Sequence, residues 1–276
     1  MTKSPSKIPT SRPIKTLAQF IDRVELIVEF LDPTRDLSIS FRGHSVESWP
    51  LIPKLYRAEN DLISEQEDDL REEFQGLAWP YLSEDIWEPN SDWDWYLLMQ
   101  HFGMPTRLLD WTESALNALY FALPPHNRQP DVNAAVWVLN PFELNRQIGT
   151  KKDEYLSPTE KKIQPHLPKI TSTKPLPKHP IAIWPPYKSR RIAAQQGTFI
   201  LHGKSRRPLE QYSKLKRHCI KIEIERRCAD AIREQLRVAG TAETTVFPEL
   251  WALSQEITDY YKYRHPSQRT RRTAKK

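Results

Sequence analysis

Three short stretches set polar, chemically capable side chains among apolar neighbours. The first is Phe41-Arg42-Gly43-His44, followed by Trp49-Pro50-Leu51-Ile52-Pro53. The second runs from Gln100-His101-Phe102-Gly103 through Pro105-Thr106-Arg107-Leu108-Leu109-Asp110-Trp111-Thr112 to Ala118-Leu119-Tyr120-Phe121-Ala122. The third is Arg191-Ile192-Ala193-Ala194-Gln195-Gln196-Gly197-Thr198-Phe199. At a strand end, the Arg42 guanidinium is a fixed fork for a phosphate or carboxylate. Gly43 after it lets a ligand or another backbone come close. The competing reading is a buried Arg42 paired with an acid and a glycine needed by the chain path. Arg107 and Asp110, three residues apart, either pair with each other or leave Arg107 as a second phosphate donor. Thr112 precedes a helix start, where backbone N–H groups favour anions. His44 and His101 are candidates for proton transfer or ring stacking, although His101 also suits a helix end. Trp111, Tyr120 and Phe121 fit ordinary core packing. One of Gln195 and Gln196 fits a hydrogen-bonding clamp on the Arg42 loop. Glu249, after Pro248, sits where an acid favours a helix dipole.

These residues need a scaffold, and the pattern around them supplies one. Apolar residues at helical spacing from Leu17 to Leu31, with Thr16 as N-cap and Pro33 beyond, predict a helix. Residues 38–42 read as a short strand, and 59–75 as a largely solvated helix. Ser91 caps a helix that ends at Gly103, and Ser114 caps another that stops before Pro124. Strands follow at 134–140, 197–202 and 219–225, the last with clean alternation. Helices are expected at 229–238 and 247–263. Residues 150–187 are rich in Lys and Pro with little periodicity, and read as a long loop or insertion. The order lacks regular strand–helix–strand alternation, so the fold class expected is α+β, one mixed-sheet domain with flanking helices. The domain spans 16–263, with its core motifs within 35–255. Residues 1–15 and 264–276 read as disordered basic ends.

Composition removes several function classes. Seven glycines among 276 residues, with neither GxGxxG nor GxxxxGK[ST], speak against a phosphate-cradling glycine loop. Two cysteines, Cys219 and Cys228, speak against a zinc site or disulfide framework by their number and spacing. No apolar run approaches the roughly 20 residues of a membrane span, and the basic start has no apolar stretch behind it, so it does not read as a secretory signal. A reducing cytoplasm is the expected setting. The net charge is +6, and six basic residues with no acid follow Tyr263. The remaining chain is balanced, so nucleic acid, if a partner, is expected through that tail. No Ser/His/Asp order suggests a hydrolase.

The three motifs in this order, with Phe247-Pro248-Glu249-Leu250 as a weaker fourth, resemble the FRG domain family. The resemblance implies a shared fold over about 35–255 and little about activity. The arrangement is also similar to ADP-ribosyltransferases of the toxin type: a strand-end Arg, then a strand leading into an Ala-x-x-Phe-Ala helix, then a strand carrying an acid. That likeness implies NAD as cofactor and cleavage of its nicotinamide–ribose bond, in the setting of a toxin or defence effector. Arg42, Thr112, Gln195 and Glu249 would be the catalytic set. Arg42, Gly43, His44, Arg107, Asp110, Trp111 and Tyr120 would hold the cofactor, with no metal. The third motif departs from that pattern, since Gln195 or Gln196 stands where a Glu is expected, and Glu249 is the candidate replacement. The alternative is a non-catalytic module for a phosphate-bearing ligand or nucleic acid. A scaffold that recruits partners through the Pro-rich 163–187 stretch is a third reading.

Overall fold

The computed structural model describes residues 12–35, 39–63, 65–82, 88–124, 131–154, 156–167 and 175–264. Helix α1 (Leu17–Leu31) starts where expected, with Thr16 accepting from the Gln19 amide at 3.2 Å. Strand β1 (Ser40–His44) comes next, then helices α2 (Glu67–Ala78) and α3 (Asp92–His101). Strand β2 (Leu108–Thr112) leads into helix α4 (Ala115–Ala122), followed by β3 (Ala134–Leu139) and α5 (Pro141–Gln147). Strand β4 (Ile181–Ile183), helix α6 (Arg190–Gln195) and strand β5 (Gly197–Leu201) follow. The chain continues through β6 (Cys219–Ile224), α7 (Ala229–Val238), α8 (Glu243–Val246) and α9 (Leu250–Asp259). Ser91 and Ser114 cap α3 and α4 as expected, each accepting from the amide three residues on.

The six strands form one sheet in the order β4-β5-β2-β1-β3-β6. All five pairings are antiparallel, which corrects the expected mixed sheet. The structure is α+β. None of the described helices is long and apolar enough to cross a membrane.

Four other expectations change. Ile14, placed in a disordered end, bridges Ile224 and is buried, so the sheet holds the chain before α1. The acidic helix begins at Glu67 rather than 59, after short 3-10 turns at Lys54–Tyr56 and Ala58–Asn60. The last helix starts at Leu250, because Val246 already closes α8 and Pro248 intervenes. Residues 150–187 are not a plain loop. They supply β4, a 3-10 run at Lys161–His166, and the buried side chains of Leu156, Ile163 and Ile181. Their apolar residues are spaced between prolines and lysines, so no period shows. The basic tail beyond Arg264 lies outside the described residues.

Both faces of the sheet are covered. α1, α4 and α7 share one core cluster with β1, β3 and β6. α3 packs Leu97 and Met99 against Leu108, Phe199 and Leu201. A third cluster joins Trp111, Leu144, Ala182, Tyr212 and Leu215. The close seat of α4 on β1 is set by Gly43, where a Cβ would stand 2.0 Å from the Ala118 carbonyl oxygen and 2.6 Å from the Ala122 nitrogen. Of the two readings of this glycine, another backbone occupies the space.

The interior holds three histidines in their neutral form. Burial, and then a nearby arginine charge, push His44 and His202 down to about 3 and His166 to about 4. In the unfolded chain each would titrate near 6.5. Folded pKa values below the unfolded one mean stability that is complete above about pH 6.5 and is lost as pH falls towards 4. Each contributes a loss of about 2 kcal/mol by pH 5. Urea unfolding at pH 7 and pH 5 is expected to show a drop of several kcal/mol, and an unchanged midpoint would contradict it.

Candidate functional site

Strand β2 is where the motifs meet, because it pairs with β1 on one side and β5 on the other. β1 and β2 share the single register pair Phe41–Thr112 and then diverge. Arg42 bridges that opening. Its Nη1 donates to the Asp110 carbonyl and lies 3.9 Å from the Asp110 carboxylate, while Nε donates to His44 Nε2 at 3.0 Å. Burial lowers the Arg42 pKa to about 10, opposed by Asp110. Arg42 is thus ion-paired, and it sits in the middle of β1, opposite Trp137 of β3, rather than at a strand end, because the strand runs on through Gly43 to His44. His44 is buried and uncharged near neutrality, its ring set edge-on to Trp49 at 6.2 Å, which fits ring packing rather than proton transfer.

The Asp110 carboxylate is exposed and accepts from Gln100 Nε2 at 2.8 and 2.9 Å. Gln100 in turn accepts from Thr106, so the ends of the second motif are tied together. Beyond Asp110 lies a cleft of about 60 Å³ lined by Gln100, His101, Asp110, Trp111, Arg191 and Gln195, with Leu97 and Phe199 as apolar wall. The second and third motifs therefore converge on one site, and Arg42 borders it through Asp110.

Thr112 and Gln195 lock the two motifs. Thr112 Oγ1 donates to the Gln195 carbonyl and accepts from the Ser114 amide at 3.0 Å. Asn117 Nδ2 donates to the Ala194 carbonyl at 3.1 Å, and the Glu113 amide to Gln196 at 3.0 Å. Gln196 takes the left-handed conformation, with φ of 48°, which turns α6 into β5. The Gln195 side chain reaches the Val246 carbonyl at 3.3 Å, so it clamps the end of α8 rather than the Arg42 loop.

Arg107 stands apart from this cleft. It is 1% exposed, and Nε donates to Glu67 at 2.5 Å, Nη1 to the His202 carbonyl at 2.7 Å and Nη2 to the His166 carbonyl. The expected Arg107–Asp110 pair does not form. Asp110 faces Gln100 and Arg42, while Arg107 turns inward to α2 and the chain after β5. Burial alone would depress the guanidinium, but Glu67 and two tyrosines outweigh it and hold it raised. With every guanidinium nitrogen engaged, Arg107 is a hub of the interior.

Tyr120 is placed one layer away. Its hydroxyl donates to Glu243, its ring lies 4.9 Å from the Arg233 guanidinium, and it meets Phe247 edge-on at 6.3 Å. Phe247 then supports Arg191, whose guanidinium carbon sits 4.9 Å from that ring's centre. Glu249, at the N-cap of α9, accepts from the Trp251 indole and lies near enough to act on His101. Burial lowers the His101 pKa, Arg191 lowers it further, and Glu249 opposes them. Trp111 is buried along the cleft.

Sequence reasoning passed over Arg191. Its guanidinium makes no hydrogen bond or ion pair among the described residues. A signal was present: Ser189 caps α6, accepting from Ile192 at 3.1 Å, and two arginines follow in its first turn. Cations there oppose the helix dipole, so their placement calls for another cause.

Residues 38–131 match the family model described as FRG domain. No curated protein and no solved structure matches the chain. The matched span holds Arg42, Gly43, Arg107, Asp110 and Thr112, whereas Arg191 and Gln195 complete the cleft from beyond it.

Proposed function

We propose that the FRG domain carried by this chain is a recognition module for a phosphate-bearing ligand of the nucleotide class, bound at the cleft between α3, β2 and α6. The observation that carries this reading is Arg191: a guanidinium held over Phe247, beside a largely neutral His101, with its donors unspent. Phosphate is a fitting occupant, because a planar arginine fork binds it through paired, charge-assisted hydrogen bonds. Gln100 and Gln195 offer polar edges, and Trp111 and Phe199 offer apolar surface. A volume of about 60 Å³ suits one such group. Pockets for whole cofactors run to about 300–1,000 Å³. A nucleotide would therefore seat one phosphate or ribose in the cleft and lie across the surface between α6 and α9. Arg42 orders the cleft from behind through Asp110.

One observation favours a second reading, NAD cleavage of the ADP-ribosyltransferase kind. Glu249 lies near enough to act on His101 of the cleft, and an acid is what that chemistry needs beside a developing oxocarbenium ion. Thr112, already bonded on both sides, would serve it by holding Gln195 in place rather than by touching ribose.

Calorimetric titration of ADP-ribose and NAD into the wild-type chain and Arg191→Ala tests both. Saturable binding of ADP-ribose, weakened about 10–100-fold in the variant, is the expected result, since a charge-assisted hydrogen bond contributes about 1.5–3 kcal/mol. Nicotinamide release from NAD that disappears in Glu249→Gln would carry the second reading. Equal binding by wild type and Arg191→Ala, or none by folded wild type, would remove the first.

A further inference from the structure

The balance of charge along the chain hides a segregation in space. Six of the fifteen residues from Gly203 to Arg217 are Lys or Arg and one is acidic, Glu210, which is occupied in accepting from the Leu51 amide at 3.1 Å. The fold adds cations from two distant segments to this stretch. The Lys204 amide donates to the Pro177 carbonyl at 2.8 Å and the Ser205 amide to Lys178 at 3.0 Å. This contact is close because position 203 lacks a side chain: a Cβ on Gly203 would stand 2.1 Å from the Pro177 oxygen. His179 meets Tyr212 edge-on at 6.2 Å, and Arg207 lies over the same ring at 5.5 Å. Tyr212 is fixed in turn by Ser205 at 3.0 Å. At the end of α5, Gly149 comes against Pro180, where an added Cβ would lie 3.1 Å from the Pro180 oxygen, which brings in Lys151.

The charges act on one another across this surface. His179 is lowered by burial and then by Lys151, Lys178 and Lys214, three cations from separate parts of the sequence. Lys178, Lys204, Arg207 and Lys214 are exposed, and none forms an ion pair among the described residues. Tyr212 and Leu215 anchor this face on the cluster that also holds Ala182, Trp184 and, from the cleft, Trp111. None of Lys151, Lys178, Lys204, Arg207 and Lys214 lines the cleft, so the two surfaces are distinct.

We propose that the face formed by Lys151, Lys178, Lys204, Arg207 and Lys214 binds the phosphate backbone of a polynucleotide. Arg206 of the same stretch is taken by Asp61 and Glu65, and Lys151 donates to the Gln147 and Ile148 carbonyls at 3.0 and 3.2 Å, but the four remaining cations are without an acid partner among the described residues. Such a surplus is the footprint of counterion-releasing contacts to a chain of phosphates. An anionic membrane is the poorer fit, because surface helices and patches that enter lipid carry large apolar side chains. None of the described large hydrophobics exposed to solvent falls between residues 149 and 151, 175 and 179, or 203 and 217.

The test uses the full chain with a fluorescent 20-nucleotide oligo(dT), a 20-base-pair DNA duplex, and vesicles of anionic phospholipid, across a range of salt. The comparison is with Lys178→Ala/Lys204→Ala/Arg207→Ala/Lys214→Ala, and with a full chain whose Arg269, Arg271, Arg272 and Lys275 are changed to Gln. The four-site variant is expected to bind at least tenfold more weakly, with a log–log salt slope lower by about 3 on the single strand, at about 0.7 per phosphate contact. Preference for single strand or duplex identifies the form recognised. Wild-type binding by the four-site variant, loss only with the tail changes, or binding to vesicles alone would each overturn the proposal. Unchanged thermal unfolding and ADP-ribose titration in the four-site variant keep a folding defect apart from a lost surface.

Discussion

Replacing Arg107 with alanine is expected to lower the unfolding free energy by about 3–5 kcal/mol, the range found when one partner of a buried ion pair is removed. The reason lies in how many groups depend on this side chain. Nε holds Glu67 of α2, Nη1 holds the His202 carbonyl, and Nη2 holds the His166 carbonyl. The Arg107 amide donates to the Tyr96 hydroxyl at 2.8 Å, and that hydroxyl donates to Glu67. Alanine would strand a carboxylate and two carbonyls away from water. Arg107→Lys should recover little, because one ammonium group cannot reproduce a planar fork reaching three segments. Urea unfolding monitored by tryptophan fluorescence measures the change, and a loss below 1 kcal/mol for Arg107→Ala would contradict the hub.

Gly43→Ala is expected to be at least as damaging, by a different cause. The new methyl would sit 2.0 Å from the Ala118 oxygen and 2.6 Å from the Ala122 nitrogen, both backbone atoms of α4. No rotamer relieves a clash between a Cβ and backbone, so the helix must lift from the sheet. That would open the cluster in which Ala118, Leu119 and Ala122 are buried with Phe41 and Val136. A loss of about 3 kcal/mol or more, or an insoluble product, follows from such overpacking. Gly76→Ala is the matched control. Position 76 lies within α2 and an added Cβ there meets nothing within 4 Å. That change should raise stability by about 0.5–1 kcal/mol. Similar stability effects at the two glycines would show that close approach is not what position 43 requires.

These two positions show where sequence reading succeeds and where it stops. The glycine after Arg42 was legible as a place of close approach, but not what approaches. A residue type announces a steric need, whereas the neighbour that fills the space comes from elsewhere in the chain. Helix starts with Ser or Thr caps were legible because capping is local, as Thr16, Ser91 and Ser114 confirm. Arg107 was misread because proximity in sequence suggested Asp110. Successive residues of a strand point to opposite faces, so residues 107 and 110 on one extended run diverge. Its actual partners lie 40, 59 and 95 positions away. β4 was hidden for a related reason: three apolar residues between prolines carry no period, and pairing with β5 makes them a strand.

The candidate site was legible as a set of motifs and not as a geometry. Two of the three motifs line the cleft and the first borders it, a convergence that every reading with a site required and that residue order alone does not show. Yet the most exposed opportunity for a ligand is Arg191, whose significance depends on Phe247 holding it and on no acid taking it. Neither condition is a local property. Thr112, conversely, looked available and is spent on Gln195 and Ser114.

The most direct test of the central claim is to follow the indole N–H resonances of the nine tryptophans while ADP-ribose is added to the wild-type chain and to Arg191→Ala. Trp111 lines the cleft and Trp251 packs on Phe247, the ring that holds Arg191, while Trp137 lies on β3, separated from β2 by β1. The account predicts saturable shifts of Trp111 and Trp251 in the wild type, with Trp137 still, and much weaker titration in the variant. Shifts centred on Trp137, or a Trp111 response indifferent to Arg191, would contradict it.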